Sequence, residues 1–213
     1  MKGLFITFEG PDGAGKSTQV QKLAEYLSEE NIPFIHTREP GGTAISDKIR
    51  SLILNPEHAE MVDETEVLLY AASRSQHVNE KIIPALEEGY VVLCDRFVDA
   101  SIAYQGVGLG LDVESIKMIN EFATGGLTPD RSYMIDLPVA IGKERMVARN
   151  QLDRIEQKGT DYHEKVRGAF LELYDQNQER ITLVDGDNEA NQIFQVIKED
   201  FVALWDNYCS NKK

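Results

Sequence analysis

The sequence predicts an α/β protein built on a five-stranded parallel sheet with helices on both faces. Two observations lead to this prediction. Short apolar segments with the character of buried strands recur five times along the chain, and the segments between them repeat apolar residues at helical spacing. This alternation is typical of parallel sheets, because neighbouring parallel strands need a long crossover connection that a helix usually supplies.

The predicted strands cover 4–8, 33–37, 90–95, 134–137 and 181–184. The third strand is apolar over most of its length, which indicates burial on both faces of the sheet.

The predicted helices follow from single apolar stripes. The first stripe has the spacing i, i+3, i+4, i+7 and comprises Val20, Leu23, Ala24 and Leu27. A second stripe ends near Pro56 and comprises Ile45, Ile49, Leu52 and Ile53. Segment 65–72 begins a more apolar helix, and a C-terminal stripe comprises Ile193, Ile197 and Leu204.

The chain reads as one domain, 1–213, because it contains neither an internal repeat nor a linker-like stretch rich in Pro, Gly and Ser. Residues 150–161 are polar and lie between two helical patterns. Two interpretations stay open for this stretch: a surface loop, or a mobile lid of about 145–161.

The charge balance excludes several classes of protein. The chain carries 22 Lys and Arg against 36 Asp and Glu, a formal net charge of −14. Binding of nucleic acid regardless of sequence depends on basic residues that face phosphates, so an acidic chain argues against it and equally against docking on an anionic membrane. The apolar runs are also far shorter than the roughly 18 residues that a membrane-spanning helix needs.

The cysteines indicate a reducing compartment. Only Cys94 and Cys209 occur, too few for a disulfide framework in a chain of this length, and Cys94 ends an apolar run typical of a buried thiol. Met1-Lys2 is followed by a short apolar run and then Glu9 rather than a long signal sequence. We therefore expect a cytoplasmic protein.

A phosphate-binding loop follows the first strand. The residues match the pattern G-x-x-x-x-G-K-[ST] in full and open a helix, as that motif requires: Gly10, Pro11, Asp12, Gly13, Ala14, Gly15, Lys16 and Ser17. Backbone N–H groups of such a loop cradle one phosphate, the lysine neutralises β/γ oxygens, and the hydroxyl can bind Mg²⁺. We expect ATP and Mg²⁺ to bind here, with Thr18 completing the nucleotide-binding set.

Features outside the loop argue against two classes of nucleotide-binding protein, the GTPases and the motor or transporter ATPases. The sequence contains no Asn-Lys-x-Asp motif for reading guanine, and its length leaves no room for the large second domain of a motor or transporter. A small-molecule kinase and a nucleotide-dependent switch stay open.

Basic residues at strand ends favour the kinase. Arg38 follows the second predicted strand, and Arg96 follows the third. Ligands of open α/β sheets bind outside the carboxyl ends of the strands, so both guanidinium groups are expected to enter the crevice that holds the loop. Arg74 lies four residues after Tyr70 on one helix face. Arginine is well suited to bidentate contact with a second phosphate group.

These blocks together resemble the thymidylate kinase family. The resemblance runs from residue 5 to about 165 and rests on Phe8-Glu9-Gly10, Thr37-Arg38-Glu39-Pro40-Gly41-Gly42, Tyr70-Ala71-Ala72-Ser73-Arg74, Asp95-Arg96-Phe97, Ala103-Tyr104-Gln105-Gly106 and Leu152-Asp153-Arg154-Ile155-Glu156. It implies the three-layer fold of P-loop nucleoside monophosphate kinases and transfer of the γ-phosphoryl group of ATP to dTMP.

The resemblance also implies roles for single residues. Asp12 is expected to accept a hydrogen bond from the 3′-hydroxyl of dTMP, and Arg38 and Arg96 to hold its phosphate. Tyr70, where the family usually has Phe, should stack on thymine. The other implied contacts are a hydrogen bond from Arg74 to the base, a nucleoside pocket lined by Ser101 and Gln105, a clash between Tyr104 and a ribose 2′-hydroxyl, and Asp95 beside Ser17 in the Mg²⁺ shell.

One catalytic arginine must come from outside the loop. Some family members carry it at the position of Gly13, which has no side chain here. The resemblance to the bacterial type favours Arg149 in the lid as this arginine, with Arg145 and Arg154 as alternatives. Lys16 and Arg96 are the other two residues expected to be catalytic. Arg154 could instead pair with Glu156 or Asp153 as part of the lid structure. The family also commonly forms homodimers, and the apolar helix around 67–72 is compatible both with such an interface and with the core.

Two other functions stay open at this point. One is another nucleoside monophosphate kinase, for instance for dUMP. The other is a non-enzymatic ATP-binding regulator, although a switch has no need of a second phosphate site.

Overall fold

The computed structural model describes residues 3–148 and 152–210. Five parallel strands form one sheet in the order β2-β3-β1-β4-β5. The strands are β1 (Leu4–Glu9), β2 (Phe34–Arg38), β3 (Val91–Asp95), β4 (Arg131–Asp136) and β5 (Ile181–Asp185). The predicted five-stranded parallel sheet is confirmed.

Helices connect the strands. They are α1 (Lys16–Glu29), α2 (Ala44–Leu54), α3 (Asp63–His77), α4 (Ile83–Glu88), α5 (Val98–Ser101), α6 (Val113–Thr124), α7 (Val139–Val147), α8 (Thr160–Gln176) and α9 (Ala190–Ser210). Two π-helical segments, Val78–Ile82 and Ile102–Gly108, continue α3 and α5.

The observed bounds differ from the predicted ones where polar residues interrupt the apolar pattern. β4 begins at Arg131, three residues before the predicted start at 134, because Ser132 is buried despite its polar side chain. Its hydroxyl lies 2.7 Å from that of Thr7 on β1, so the pair is satisfied inside the sheet. The predicted end of the second helix is confirmed: α2 stops at Leu54, and Asn55 is extended before Pro56, as the residue before proline prefers.

The core lies on both faces of the sheet. On one face, α1 and α9 pack Leu23, Leu27 and Phe201 against Ile6 and Phe8. The intervening residue Phe5 faces the other side, where it joins a cluster that includes Val78, Ile82 and Val92. The alternation follows from the two-residue period of a strand, and it confirms the helical layers on both faces.

The strand order positions the site. β1 lies between β3 and β4, so the connections leaving β1 and β3 diverge from neighbouring strand ends. Arg38 aligns with Asp95 at the carboxyl ends of β2 and β3. The crevice outside these carboxyl ends, where connections leave in opposite directions, is where open α/β sheets bind their ligands.

Candidate active site

The loop between β1 and α1 has the backbone that a phosphate-binding loop needs. Gly10 and Gly13 have φ angles of 128° and 79°, which disfavour any other residue. A Cβ on Gly10 would lie 2.2 Å from the carbonyl oxygen of Ile135, and one on Gly13 would lie 2.5 Å from that of Gly142. Position 13 therefore has no room for an arginine, since the backbone of α7 passes directly beside it.

Lys16 is held inside this loop. Its Nζ atom donates hydrogen bonds to the carbonyl oxygens of Gly10 at 3.1 Å and Pro11 at 2.8 Å. Burial, and after it the charge of the nearby Arg96, lower the pKa of Lys16 to about 8 against the opposite effect of Asp95 and other carboxylates. An anion close to Nζ would favour the charged ammonium.

Ser17 and Asp95 form a pair of hard oxygen donors beside Lys16. Ser17 Oγ donates to Asp95 Oδ2 at 2.5 Å. The described residues contain no cluster of three or more His, Cys, Asp and Glu side chains that could hold a metal ion by themselves. One carboxylate and one hydroxyl nevertheless fit Mg²⁺, which commonly takes its other ligands from water and substrate phosphates.

Asp12, Arg96 and Tyr104 form a connected group against the loop, where Arg96 Nη1 donates to the carbonyl oxygen of Gly10 at 2.9 Å. Arg96 Nη2 donates to Asp12 Oδ1 at 2.5 Å, and the Tyr104 hydroxyl donates to Asp12 Oδ2 at 2.7 Å. Burial by itself would raise the pKa of Asp12, but the charges of Arg96 and Lys16 outweigh it and lower that pKa. Asp12 is thus an ionised acceptor at neutral pH.

The backbone at Arg96 is strained and is supported by Glu9. Arg96 has a φ angle of 70°, which is unusual for a residue with a side chain and typical of functional sites. The next N–H group, that of Phe97, donates to Glu9 Oε1 at 2.7 Å. Burial and then the charge of Asp99 raise the pKa of Glu9 to about 8, against the effect of Arg96.

Arg74 is the centre of a buried network. Its Nε donates to Glu39 Oε2 at 2.6 Å, and Glu39 Oε1 lies 2.9 Å from His77 Nδ1. The other partners of the guanidinium are Ser101 Oγ, Asn120 Oδ1 and the carbonyl oxygen of Phe97. Within the described part of the chain, these partners use four of its five N–H groups and leave one N–H of Nη2 for a ligand. Arg74 consequently holds the pocket together as well as lining it.

One cavity of about 490 Å³ brings the predicted residues together. Its wall includes all eight residues expected to bind the acceptor substrate: Asp12, Arg38, Tyr70, Arg74, Arg96, Ser101, Tyr104 and Gln105. The nucleotide side contributes Gly13, Gly15, Lys16, Ser17 and Thr18, together with Asp95. Gly10, Pro11 and Ala14 are buried in the loop and are not part of the wall.

Two of the three candidate lid arginines, Arg145 and Arg154, lie among the described residues. Arg149 lies outside the described residues. Arg145 Nη1 donates to the carbonyl oxygen of Gly13 at 3.3 Å, beside the loop. Arg154 is directed away from the loop, because its guanidinium donates to the carbonyl oxygen of Ile53 and to Glu66 Oε2, each at 2.7 Å.

The sequence left open a pairing of Arg154 with Glu156 or Asp153, whereas the structure shows an ion pair between Arg154 and Glu66 on α3. The physical reason is that the turn uses the local carboxylates itself. Asp153 Oδ1 accepts from two backbone N–H groups at 2.9 Å, and Glu156 Oε2 accepts from the backbone N–H of Asp153.

Sequence reasoning assigned no role in the site to several residues of the cavity region. Arg50 of α2 lines the cavity and donates to the carbonyl oxygen of Pro40 at 2.8 Å. Asp153 also lines it, and Glu66 supports it from behind. Glu66 had a detectable signal, because it is an acidic residue four positions before Tyr70, on the same helix face.

Comparisons with known proteins show which family the chain belongs to. A sequence model of thymidylate kinases matches residues 8–197. The chain belongs to the thymidylate kinase family. A thymidylate kinase of Exiguobacterium sibiricum is 56% identical over 200 residues, which cover 94% of this chain and 92% of that protein. The thymidylate kinase of Carboxydothermus hydrogenoformans is 49% identical over 93% of this chain and 96% of its own length.

A solved structure of a thymidylate kinase supports the fold as well. The crystal structure of thymidylate kinase from Ehrlichia chaffeensis superimposes with a TM-score of 0.75 at 30% identity, covering 94% of this chain and 99% of that one. The P-loop kinase fold that the resemblance implied is thereby confirmed. No helix among the described residues combines the length and the apolar character that crossing a membrane requires.

Proposed function

We propose that this thymidylate kinase transfers the γ-phosphoryl group of ATP to dTMP and releases ADP and dTDP. One observation carries the proposal: a single cavity wall combines Lys16, Ser17 and other residues of the phosphate-binding loop with Arg38, Arg96 and an aromatic ring, that of Tyr70. A nucleotide switch has no need of a second set of phosphate-binding side chains. A kinase of a phosphorylated acceptor requires one.

The donor side is assigned to the loop. Its N–H groups and Lys16 are suited to the β- and γ-phosphates, and Ser17 with Asp95 would hold Mg²⁺. When bound, Mg²⁺ neutralises phosphate oxygens on which charge changes during transfer.

The acceptor side is assigned to the part of the cavity wall that Arg38, Tyr70 and Arg96 line. Arg38 is exposed, and its contact with Asp47 is long at 3.5 Å, the kind of surface pair that contributes little stability, so a phosphate can replace Asp47 at low cost. Arg96 would bind the same phosphate. Asp12 is ionised and lies beside Arg96, in a position to accept the 3′-hydroxyl, while Tyr70 would stack on the base.

Catalysis on this assignment is positioning and charge stabilisation. An oxygen of the dTMP phosphate attacks the γ-phosphorus in line with the bond to ADP. Since that oxygen is already anionic, no general base is needed. Lys16, Arg96 and Arg149 would stabilise the oxygens that gain charge, and the lid of about 145–161 would exclude water.

A coupled assay for ADP tests the proposal. The protein is incubated with ATP, Mg²⁺ and each of dTMP, dUMP, dGMP and dCMP in turn. Preference for dTMP is expected. A different preferred acceptor would indicate another nucleoside monophosphate kinase, and ADP formation that no acceptor increases would favour the regulator.

Tyr104 is expected to exclude ribonucleotides. Its ring is packed against Phe170 and Tyr162 with centroid distances of 6.0 and 6.3 Å, so it cannot retreat from an added 2′-hydroxyl. Tyr104→Leu should reduce the preference for dTMP over its ribose analogue by about 10-fold, the usual effect of a local steric change. Tyr104→Phe keeps the ring and is the control. Unchanged selectivity in the Leu variant would remove this role from Tyr104.

We also propose a cytoplasmic homodimer of single-domain subunits. Val67 is buried in the core and is unavailable to a partner, whereas Leu68 of α3 and Met118 and Phe122 of α6 are exposed, Phe122 by 91%. α3 and α6 are adjacent, and a fully exposed phenylalanine beside other apolar residues is typical of an association surface.

Phe122→Glu should therefore convert the dimer into a monomer, because it places a charge in an apolar contact. Light scattering after gel filtration measures the change in mass. Val196→Glu on α9 is the matched control, since Val196 is also exposed but lies on another helix. A monomeric wild type, or a dimeric Phe122→Glu variant, would contradict the proposed interface.

A further inference from the structure

Glu66 joins the base pocket to the lid. It lies on α3, and its side chain is fully buried. Its Oε1 accepts a hydrogen bond from Gln105 Nε2 at 2.9 Å, and its Oε2 accepts one from Arg154 Nη2 at 2.7 Å. Lys158 Nζ lies 4.0 Å from the same Oε2. The Glu66 carboxylate thus uses one oxygen to bind Gln105 of the pocket and the other to bind Arg154 of the lid.

The contact with Glu66 determines which way the Gln105 amide faces. A carboxylate accepts hydrogen bonds and donates none, so the amide nitrogen of Gln105 must be the end that meets Glu66. The amide carbonyl is the end left to accept. Gln105 lines the cavity while its side chain is almost completely buried, so the orientation of this amide is imposed from behind the pocket.

The two ends of an amide distinguish pyrimidines. N3 of thymine carries a hydrogen and donates, whereas N3 of cytosine has a lone pair and accepts. A glutamine that offers its carbonyl oxygen suits thymine, and the same glutamine turned over suits cytosine. A pocket that leaves a polar group of the ligand unpaired rejects that ligand strongly.

Arg154 connects the same carboxylate to the lid. Its backbone N–H donates to the carbonyl oxygen of Leu54 at 3.1 Å, and its Nε donates to that of Ile53 at 2.7 Å. The turn that follows contributes Ile155 to the cavity wall. Arg154 therefore binds the C-terminal part of the lid to the end of α2 and to Glu66 of α3, the residue that orients Gln105.

We propose that Glu66 is a positioning residue that sets base selectivity by orienting the Gln105 amide while it anchors the lid through Arg154. This proposal rests on the proposed function, because it assigns the substrate base to the pocket that Gln105 lines. Glu66 itself lies behind that wall and does not form part of it.

Glu66→Gln tests the proposal with almost no change in shape. A glutamine at 66 can offer either end of its amide, so it no longer imposes one orientation on Gln105. We expect KM for dTMP to rise by about 10-fold with kcat changed much less, since binding is lost equally in the ground state and the transition state. Ki for dCMP as a competitor of dTMP should fall. The ratio of Ki for dCMP to KM for dTMP should therefore drop by at least about 10-fold.

Two further variants separate positioning from support of the fold. Glu66→Gln with Arg154→Gln replaces the buried ion pair by two amides and leaves only the partly exposed charge of Lys158 near position 66, and it should show the same drop in the ratio. In a Gln105→Ala background, Glu66→Gln should leave the ratio unchanged, because the residue through which it acts is gone. Thermal unfolding of each variant identifies any that fails to fold, and the double variant then carries the test.

The outcomes are distinct. An unchanged ratio in both Glu66 variants, or an equal drop in the Gln105→Ala background, would overturn the proposal. The wild type measured in the same assay tests the proposed function separately. A wild type that phosphorylates dTMP while the ratio stays constant would refute the role of Glu66 alone, and a wild type without activity on dTMP would refute both.

Discussion

Arg149→Ala should lower kcat by about 10³-fold while KM for dTMP changes little. An arginine at the transferring phosphoryl group stabilises charge that exists only in the transition state, and removal of such residues costs 10³-fold or more. The catalytic arginine is expected to come from outside the phosphate-binding loop, because Gly13 has a φ angle of 79° and lies against the backbone of Gly142. A side chain that enters from the loop itself is excluded there. Steady-state kinetics with ATP and dTMP measure the effect.

Two other variants make this prediction specific. Arg145 contacts the carbonyl oxygen of Gly13 and is the rival candidate, and its replacement by alanine should cost considerably less than that of Arg149. Lys165→Ala removes one positive charge from an exposed site on α8 and should leave kcat close to the wild-type value. Near-wild-type turnover of Arg149→Ala together with a large loss in Arg145→Ala would transfer the role to Arg145.

Lys16→Met should lower kcat by about 10²- to 10³-fold, the usual cost of losing one preorganised charge from a reaction centre. Methionine keeps an unbranched side chain as far as the ε position and removes the ammonium group that donates to the carbonyl oxygens of Gly10 and Pro11. Lys22→Met is the matched control on the same helix, because Lys22 Nζ instead donates to Asn191 Oδ1. Equal activity of the two variants would contradict the role of Lys16.

The pKa of Lys16 adds a second measurement. Since that pKa is lowered to about 8, a large fraction of the Lys16 side chains is neutral at pH 8. The negative charge of ATP would raise the pKa, so binding of ATP at pH 8 should take up protons. Calorimetry in two buffers of different ionisation enthalpy detects the uptake, which should disappear in Lys16→Met.

Much of the site was predictable because its residues follow strand ends. Arg38, Asp95 and Arg96 could be assigned to one crevice from chain order alone, since parallel strands end at the same edge of a sheet. Arg50 could not be assigned in this way. It lies on a helix whose position over the crevice depends on how α2 packs against α3, and helical periodicity carries no information about that packing.

The buried ion pairs lay beyond prediction for a related reason. A pairing of Arg154 with an acidic residue nearby in the sequence was left open, but backbone N–H groups of its own turn use those carboxylates. Glu66 supplies the partner from 88 residues away. Arg74 likewise meets Glu39, which lies 35 residues away. Burial makes an unpaired charge so costly that the fold must bring its partner, wherever that partner lies in the chain.

The sequence by itself determined the alternation of strands and helices and the conformation of the phosphate-binding loop, because periodicity and glycine requirements act over a few residues. Only the tertiary structure decided the strand order, the enclosure of the cavity and the partners of its buried charges. These depend on contacts between distant segments, whose free energy is gained only when the whole sheet and its helical layers come together. Glu66 illustrates the division: its place on α3 is local, and its link between Gln105 and Arg154 exists only in the folded protein.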